Sequence, residues 1–178
     1  MPVQIGATTH SFSDPTALLS DCHRRIEMFL GTLEAVGPYL ESQLDNDTRM
    51  ALESALRYFR EAAPKHTADE EESLFPRLRK STDAETTAAL TKLDALEQDH
   101  RRANALHATV DALGKRCIDQ GVLSAADANL FRRAVAELAL IYGAHIRIED
   151  DEVFPIAGQK LSEIDKYAIA TEMRERRK

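Results

Sequence analysis

Two eleven-residue stretches carry the residue types of a metal site. His66-Thr67-Ala68-Asp69-Glu70-Glu71-Glu72-Ser73-Leu74-Phe75-Pro76 recurs as His145-Ile146-Arg147-Ile148-Glu149-Asp150-Asp151-Glu152-Val153-Phe154-Pro155, and both follow H-x-x-x-E-[ED]-[ED]-x-x-F-P. On a helix, positions i and i+4 lie about 40° apart on one face, one turn from each other. Each copy therefore aims an imidazole and a carboxylate at one point. A second repeat precedes the first: Asp21-Cys22-His23-Arg24-Arg25 and Gln98-Asp99-His100-Arg101-Arg102 share His-Arg-Arg. The chain reads as two copies of a helix with one His followed by a helix with His-x-x-x-Glu.

Helices must position these residues. Asp14 and Pro15 are an N-cap acceptor and a first-turn proline, and Leu18, Leu19, Cys22, His23, Ile26, Phe29, Leu30 and Leu33 follow at helical period. This helix ends or bends at Gly37-Pro38, and Asp45-Asn46-Asp47 forms the turn. Leu52, Ala55, Leu56, Phe59 and Ala63 lead to His66, with Pro64 kinking the second helix rather than stopping it; Phe75-Pro76 brings it to its end. Ser81-Thr82-Asp83 reads as a loop and a new cap. Leu90, Leu93, Leu96, Glu97, His100, Asn104, His107 and Leu113 share the inner face of a third helix that runs to about Ile118. Ser124 caps a fourth, which carries Leu130, Phe131, Val135, Leu138, Ile141, Tyr142, His145 and Glu149 inward. A short fifth helix, capped by Ser162, includes Ile164, Tyr167, Ala168 and Met173.

Composition agrees with an all-α fold: 7 Gly, 6 Pro and no Trp among 178 residues rich in Ala, Leu, Glu and Arg. The expected organisation is an irregular arm over residues 1–13, an up-down-up-down four-helix bundle over 14–158, and a C-terminal helix at 159–178 packed on or near the bundle. In such a bundle, residues equidistant from a shared turn lie at one height. The midpoints between His23 and His66, His66 and His100, and His100 and His145 fall at Asp45-Asn46, at Asp83, and between Val122 and Leu123, all predicted loops. All four histidines thus reach one level of the core.

Burying carboxylates beside imidazoles costs several kcal/mol unless a cation compensates. The candidate ligands are His23, His66, Glu70, His100, His145 and Glu149. With nitrogen and oxygen donors and no thiolate, the set suits iron, with manganese or zinc as substitutes. Two ions fit better than one, because the imidazoles divide into two pairs while Glu70 and Glu149, entering from different helices, each bridge.

In order and spacing these six residues resemble the hemerythrin-like, HHE cation-binding family, over about residues 15 to 157. The resemblance implies a four-helix bundle holding two non-haem irons, oxo- or hydroxo-bridged, that meets O₂, NO or peroxide. Oxygen-carrying hemerythrins have a further histidine one turn after the third-helix histidine, where this chain has Asn104, and use an Asp five residues after the last histidine, where it has Asp150 beside Glu149. One fewer nitrogen ligand leaves an iron more open, which argues against simple O₂ carriage. The six-ligand set also resembles the di-iron proteins that repair iron–sulfur clusters, without their Cys-containing N-terminal domain.

Around the six, Glu27 and Glu97 are open between extra ligand, partner of an imidazole and ordinary edge carboxylate. His107, two turns or about 10 Å beyond His100, is a core or channel histidine, and His10 a surface one. Tyr58 and Tyr142 are core aromatics that could serve the site. Cys22 reads as a free thiol, Glu71, Glu72, Asp151 and Glu152 as solvated faces, and the paired arginines as surface or salt-bridging residues. The cations from Arg174 to Lys178 suit a helix C-terminus.

The net charge of −7 argues against a nucleic-acid surface. The absence of a run of eighteen apolar residues or of a cationic-then-apolar N-terminus argues against membrane insertion and export. Two distant cysteines, Cys22 and Cys117, give neither a disulfide framework nor a zinc ribbon, and fit a reducing cytoplasm. The expected function is to bind or sense O₂ or NO, or to respond to redox state. The alternatives are a di-iron oxidoreductase acting on peroxide or NO, and an iron donor for cluster repair. Whether the chain is an enzyme stays open, as does a homodimer or protein partner.

Overall fold

A computed structural model describes residues 14–81 and 84–178. The predicted arm over 1–13 with His10, and Thr82-Asp83 of the predicted loop and cap, lie outside the described residues. Among the described residues the chain is all α, with no strand. None of the described helices is long and apolar enough to cross a membrane.

Helix α1 spans Pro15–Val36, followed by a 3₁₀ turn at Gly37–Tyr39. Asp14 caps it, accepting from the Ala17 N–H at 3.0 Å. Helix α2 spans Asn46–Glu61 and α3 spans Ala63–Ala68. Asp45 is the cap of α2, accepting from Thr48 N–H at 2.7 Å, so Asn46 and Asp47 belong to its first turn rather than to a loop. Pro64 has no N–H to give the preceding turn. The backbone distorts at Ala62 (φ −101°, ψ −45°) and resumes helically, a kink rather than a stop.

Both motif copies then leave α geometry. Asp69–Leu74 and Glu149–Val153 are π-helical turns, each followed by a short α-helix that opens with Phe-Pro: α4, Phe75–Leu78, and α7, Phe154–Lys160. Proline at the second position of each piece cannot supply an N–H, which suits a break in the α ladder. Between the copies run α5, Ala84–Gln120, and α6, Ala125–Ile148, with Ser124 as cap. Gly121, at φ 86°, takes the left-handed conformation that ends α5. Helix α8, Glu163–Glu175, is capped by Ser162.

Helix α1 packs on α2 and α6, and α5 packs on the same two, closing a four-helix ring; α8 lies against the first π-helical turn and α1. Two apolar clusters fill the bundle. One includes Leu33, Leu52, Phe59, Val110, Phe131 and Leu138. The other gathers Leu19, Phe75, Leu93, Leu96, Phe154 and Met173. Leu130 and Asn104, expected inward, face outward: Leu130 is 47% exposed, and Asn104 is exposed. On α5 the buried stripe passes through Ala103 and Val110, one residue to the side of Asn104. In α8 the buried residues are Ile169, Ala170 and Met173, while Ile164 and Tyr167 face outward.

Candidate metal centre

A polar layer is buried among these apolar residues. His23 from α1, His66 from α3, His100 from α5 and His145 from α6, with Glu70 and Glu149 from the two π-helical turns, are each no more than 4% exposed. Their Nε2 atoms and carboxylate oxygens converge. His66 Nε2 lies 3.0 Å from Glu70 Oε1, His145 Nε2 3.0 Å from Glu149 Oε2, and His23 Nε2 3.1 Å from Glu149 Oε2 and 3.7 Å from Glu70 Oε1. His100 Nε2 is 3.3 Å from Glu70 Oε2 and 3.1 Å from His145 Nε2.

These contacts form two overlapping groups. His23, His66, Glu70 and Glu149 place donor atoms within 4.8 Å of one another, and so do Glu70, His100, His145 and Glu149. Both carboxylates belong to both groups. All four carboxylate oxygens, with His23 Nε2, lack a hydrogen-bond partner despite complete burial. Orphaned acceptors of this kind are costly in a core. Donors about 2.1 Å from an ion and at right angles sit about 3 Å apart, which matches the observed spacing. The residues fit a bound metal cation.

The hemerythrin HHE cation-binding domain model matches residues 14–157. The chain belongs to that family. An uncharacterized protein of Haemophilus influenzae is similar, 28% identical over 143 residues that make up 79% of this chain and 77% of that protein.

The HHE centre has a surrounding layer that sequence reasoning reaches only in part. His23 Nδ1 lies 2.9 Å from Asp150 Oδ1, and His100 Nδ1 lies 2.7 Å from Glu71 Oε1. The residue after each shared glutamate thus holds the histidine of a neighbouring helix and directs its Nε2 to the centre. Glu71 is therefore not a solvated face; the π-helical turn lets two consecutive carboxylates serve the site. Their equivalent positions in the repeat are the signal that could have found them. Asp150 is itself held by Ser20 Oγ at 2.7 Å and Arg24 at 2.8 Å. Glu27 and Glu97 do not face the centre: they pair with Arg24 and Arg79. Glu72 and Glu152 are exposed and pair with Arg176 and Lys92.

The C-terminal cations do more than suit a helix end. Arg176 donates to Asp69 Oδ1 at 2.9 Å and Arg177 to Asp69 Oδ2 at 2.6 Å. Asp69 is fully buried beside Glu70. The second motif copy has Ile148 at the equivalent position.

In the HHE layer burial and neighbouring charges pull in opposite directions. Burial opposes a charge on His23, but the bond to Asp150 and the nearby Glu149 and Glu70 carboxylates outweigh it and raise the group to about 11. His100, against the same opposition, is raised to about 9 by Glu70, Glu149 and Glu71. Burial lowers His66. It also works against ionisation of Glu70, yet His66, His100 and His23 hold that carboxyl well below its usual range. Cationic imidazoles thus balance the carboxylates, a role that metal cations would assume.

Beyond the centre, a cavity of about 220 Å³ lies beside Phe59, Pro64, Asn104 and His107. Tyr142 is buried with its hydroxyl 3.1 Å from His107 Nε2, whereas Tyr58 donates to the Cys22 carbonyl at 3.5 Å.

Proposed function

We propose that this HHE protein is a non-haem di-iron protein that binds or senses O₂ or NO, or responds to redox state. The observation that carries the reading is the sharing of Glu70 and Glu149 by two buried four-donor groups without any sulfur. His23 and His66 would serve one ion, His100 and His145 the other, and the two glutamates would join them. Bound there, iron would supply a ferrous–ferric couple and coordination positions that the protein leaves free. Asp150 and Glu71 keep the His23 and His100 rings in orientation, and the surrounding apolar clusters exclude bulk water. Manganese and zinc would fit the same donors.

Reduction of peroxide is the second reading. It is favoured by the oxidisable phenol of Tyr142, whose ring centroid lies 6.4 Å from that of His145. Burial of all six ligands speaks against an iron donor, which must surrender its metal readily. Cys22 and Cys117 are both free thiols, in keeping with a reducing, cytoplasmic setting.

Metal analysis of aerobically purified protein, paired with absorption spectra, tests the reading. Two irons per chain are expected, with charge-transfer bands that bleach on dithionite and return on exposure to O₂ or peroxide or shift with NO. A protein that takes up no iron, manganese or zinc after loading would contradict it.

A further inference from the structure

The half-buried His107 and the buried Tyr142 form a polar pair at the edge of the apolar core. The internal repeat does not require them. Ala63 stands three residues before His66 as Tyr142 stands three before His145, and Leu30 stands seven after His23 as His107 stands seven after His100. Ala63 and Leu30 are buried and pack adequately. Tyr142 is buried and His107 half-buried; the two bond to each other, but His107 Nδ1 is left buried without a partner, a desolvation cost that packing alone does not explain.

The pair belongs to a line of rings. Centroids are 6.4 Å apart from His145 to Tyr142, 5.8 Å from Tyr142 to His107, and 4.4 Å from His107 to Phe59. The line continues from Phe59 to Tyr58 at 5.2 Å and from Tyr58 to Phe29 at 4.3 Å. It ends in a groove between α1 and α2 lined by Met28, Phe29 and Tyr58, where Met28 is 40% exposed. Phe154, stacked on His23, is by contrast buried.

We propose that this line is an electron path, in which Tyr142 and Tyr58 carry oxidising equivalents one at a time between the metal centre and the α1/α2 groove. The proposal rests on the redox reading above, with peroxide as the oxidant. Reducing hydrogen peroxide to two waters consumes two electrons, delivered in two passes along the path, and two protons taken from solvent. For an electron drawn from Tyr142, its O–H bond breaks: the electron goes to the peroxide and the proton to His107 Nε2, leaving a neutral tyrosyl radical and an imidazolium. Tyr58 then gives an electron to that radical, Tyr142 recovers its proton from His107, and the Tyr58 proton leaves to water in the groove. A one-electron reductant such as ascorbate restores Tyr58 with an electron and a proton. Phe59 bridges the tyrosines without being oxidised.

The local chemistry supports both steps. Burial raises the Tyr142 and Tyr58 phenols, so each is protonated at neutral pH and must shed a proton with its electron. Burial also lowers His107 to about 4, leaving its ring neutral and able to accept. With the His107 proton on Nδ1, the Tyr142 hydroxyl donates to Nε2.

Rapid-freeze electron paramagnetic resonance on protein carrying ring-deuterated tyrosine tests this in two arms. Iron-loaded protein receives hydrogen peroxide; iron-free protein receives a flash-quenched ruthenium(III) polypyridyl oxidant in solution, which delivers the hole from outside. In a background with the exposed Tyr39 and Tyr167 replaced by phenylalanine, a tyrosyl radical is expected at Tyr142 in both arms; in Tyr142→Phe it is lost from that site and the ruthenium arm leaves the hole on Tyr58. In Tyr58→Phe the peroxide-generated radical survives ascorbate about tenfold longer, and the ruthenium arm no longer reaches Tyr142. Equal tyrosyl radical yields after peroxide in that background and in its Tyr142→Phe variant overturn the path. So does iron that peroxide oxidises with no tyrosyl radical in either arm, a result that leaves the metal reading standing. A silent peroxide arm with a Tyr142 radical in the ruthenium arm supports the path and removes peroxide as its oxidant.

Discussion

Asp150 and Glu71 determine which way two of the histidines face. Removing the charge, as in Asp150→Asn or Glu71→Gln, is expected to weaken metal binding about 10- to 100-fold, measured by competition with a chromophoric chelator. Glu27→Gln and Glu97→Gln should leave affinity unchanged, because those carboxylates pair with Arg24 and Arg79. His107 gives a pH signature. Its folded value is lowered to about 4 from 6.5, so between those values the unfolded chain holds the extra proton and stability falls as pH drops. The loss attributable to His107 reaches about 3 kcal/mol. Urea unfolding of metal-free protein at several pH values should show a flatter dependence in His107→Gln than in the parent chain.

At the scale of elements, helical periodicity makes much of the centre legible in the sequence. His23, His66, His100 and His145 stand where loops predict equal height, and the i+4 glutamates face the same layer. The π-helical turns are not legible in the same way, because helical spacing alone gives no sign that Glu70 and Glu71 both turn towards imidazoles. Asn104 and Leu130 depart from their expected inward placement for a related reason: a residue near the edge of a helical stripe can fall on either side of the core boundary. The role of Arg176 and Arg177 is hidden differently, since their partner Asp69 lies more than a hundred positions away and only the docking of α8 joins them. With both arginines replaced by glutamine, Asp69 is left as a buried charge without compensation, which is expected to cost about 3–5 kcal/mol. Adding Asp69→Asn should recover part of that loss in denaturant titrations.

For the whole molecule, the two ions are expected to behave as one unit. Glu70 and Glu149 belong to both donor groups, so Glu149→Ala should deplete both ions, whereas His66→Ala should deplete mainly one. Metal counting per chain separates these outcomes. Because the polar layer joins residues of α1, α3, α5 and α6 that are far apart in sequence, metal should bind the folded chain and not the unfolded one. Loading at 100 times the dissociation constant would then add about 2.7 kcal/mol of stability, read as a rise in melting temperature that a chelator reverses.

The most direct measurement is a crystal structure of the iron-loaded protein with anomalous diffraction recorded on both sides of the iron absorption edge. Two iron peaks are predicted, one beside His23 and His66 and one beside His100 and His145, with Glu70 and Glu149 reaching both. A single peak, or peaks away from these six side chains, would contradict the di-iron account.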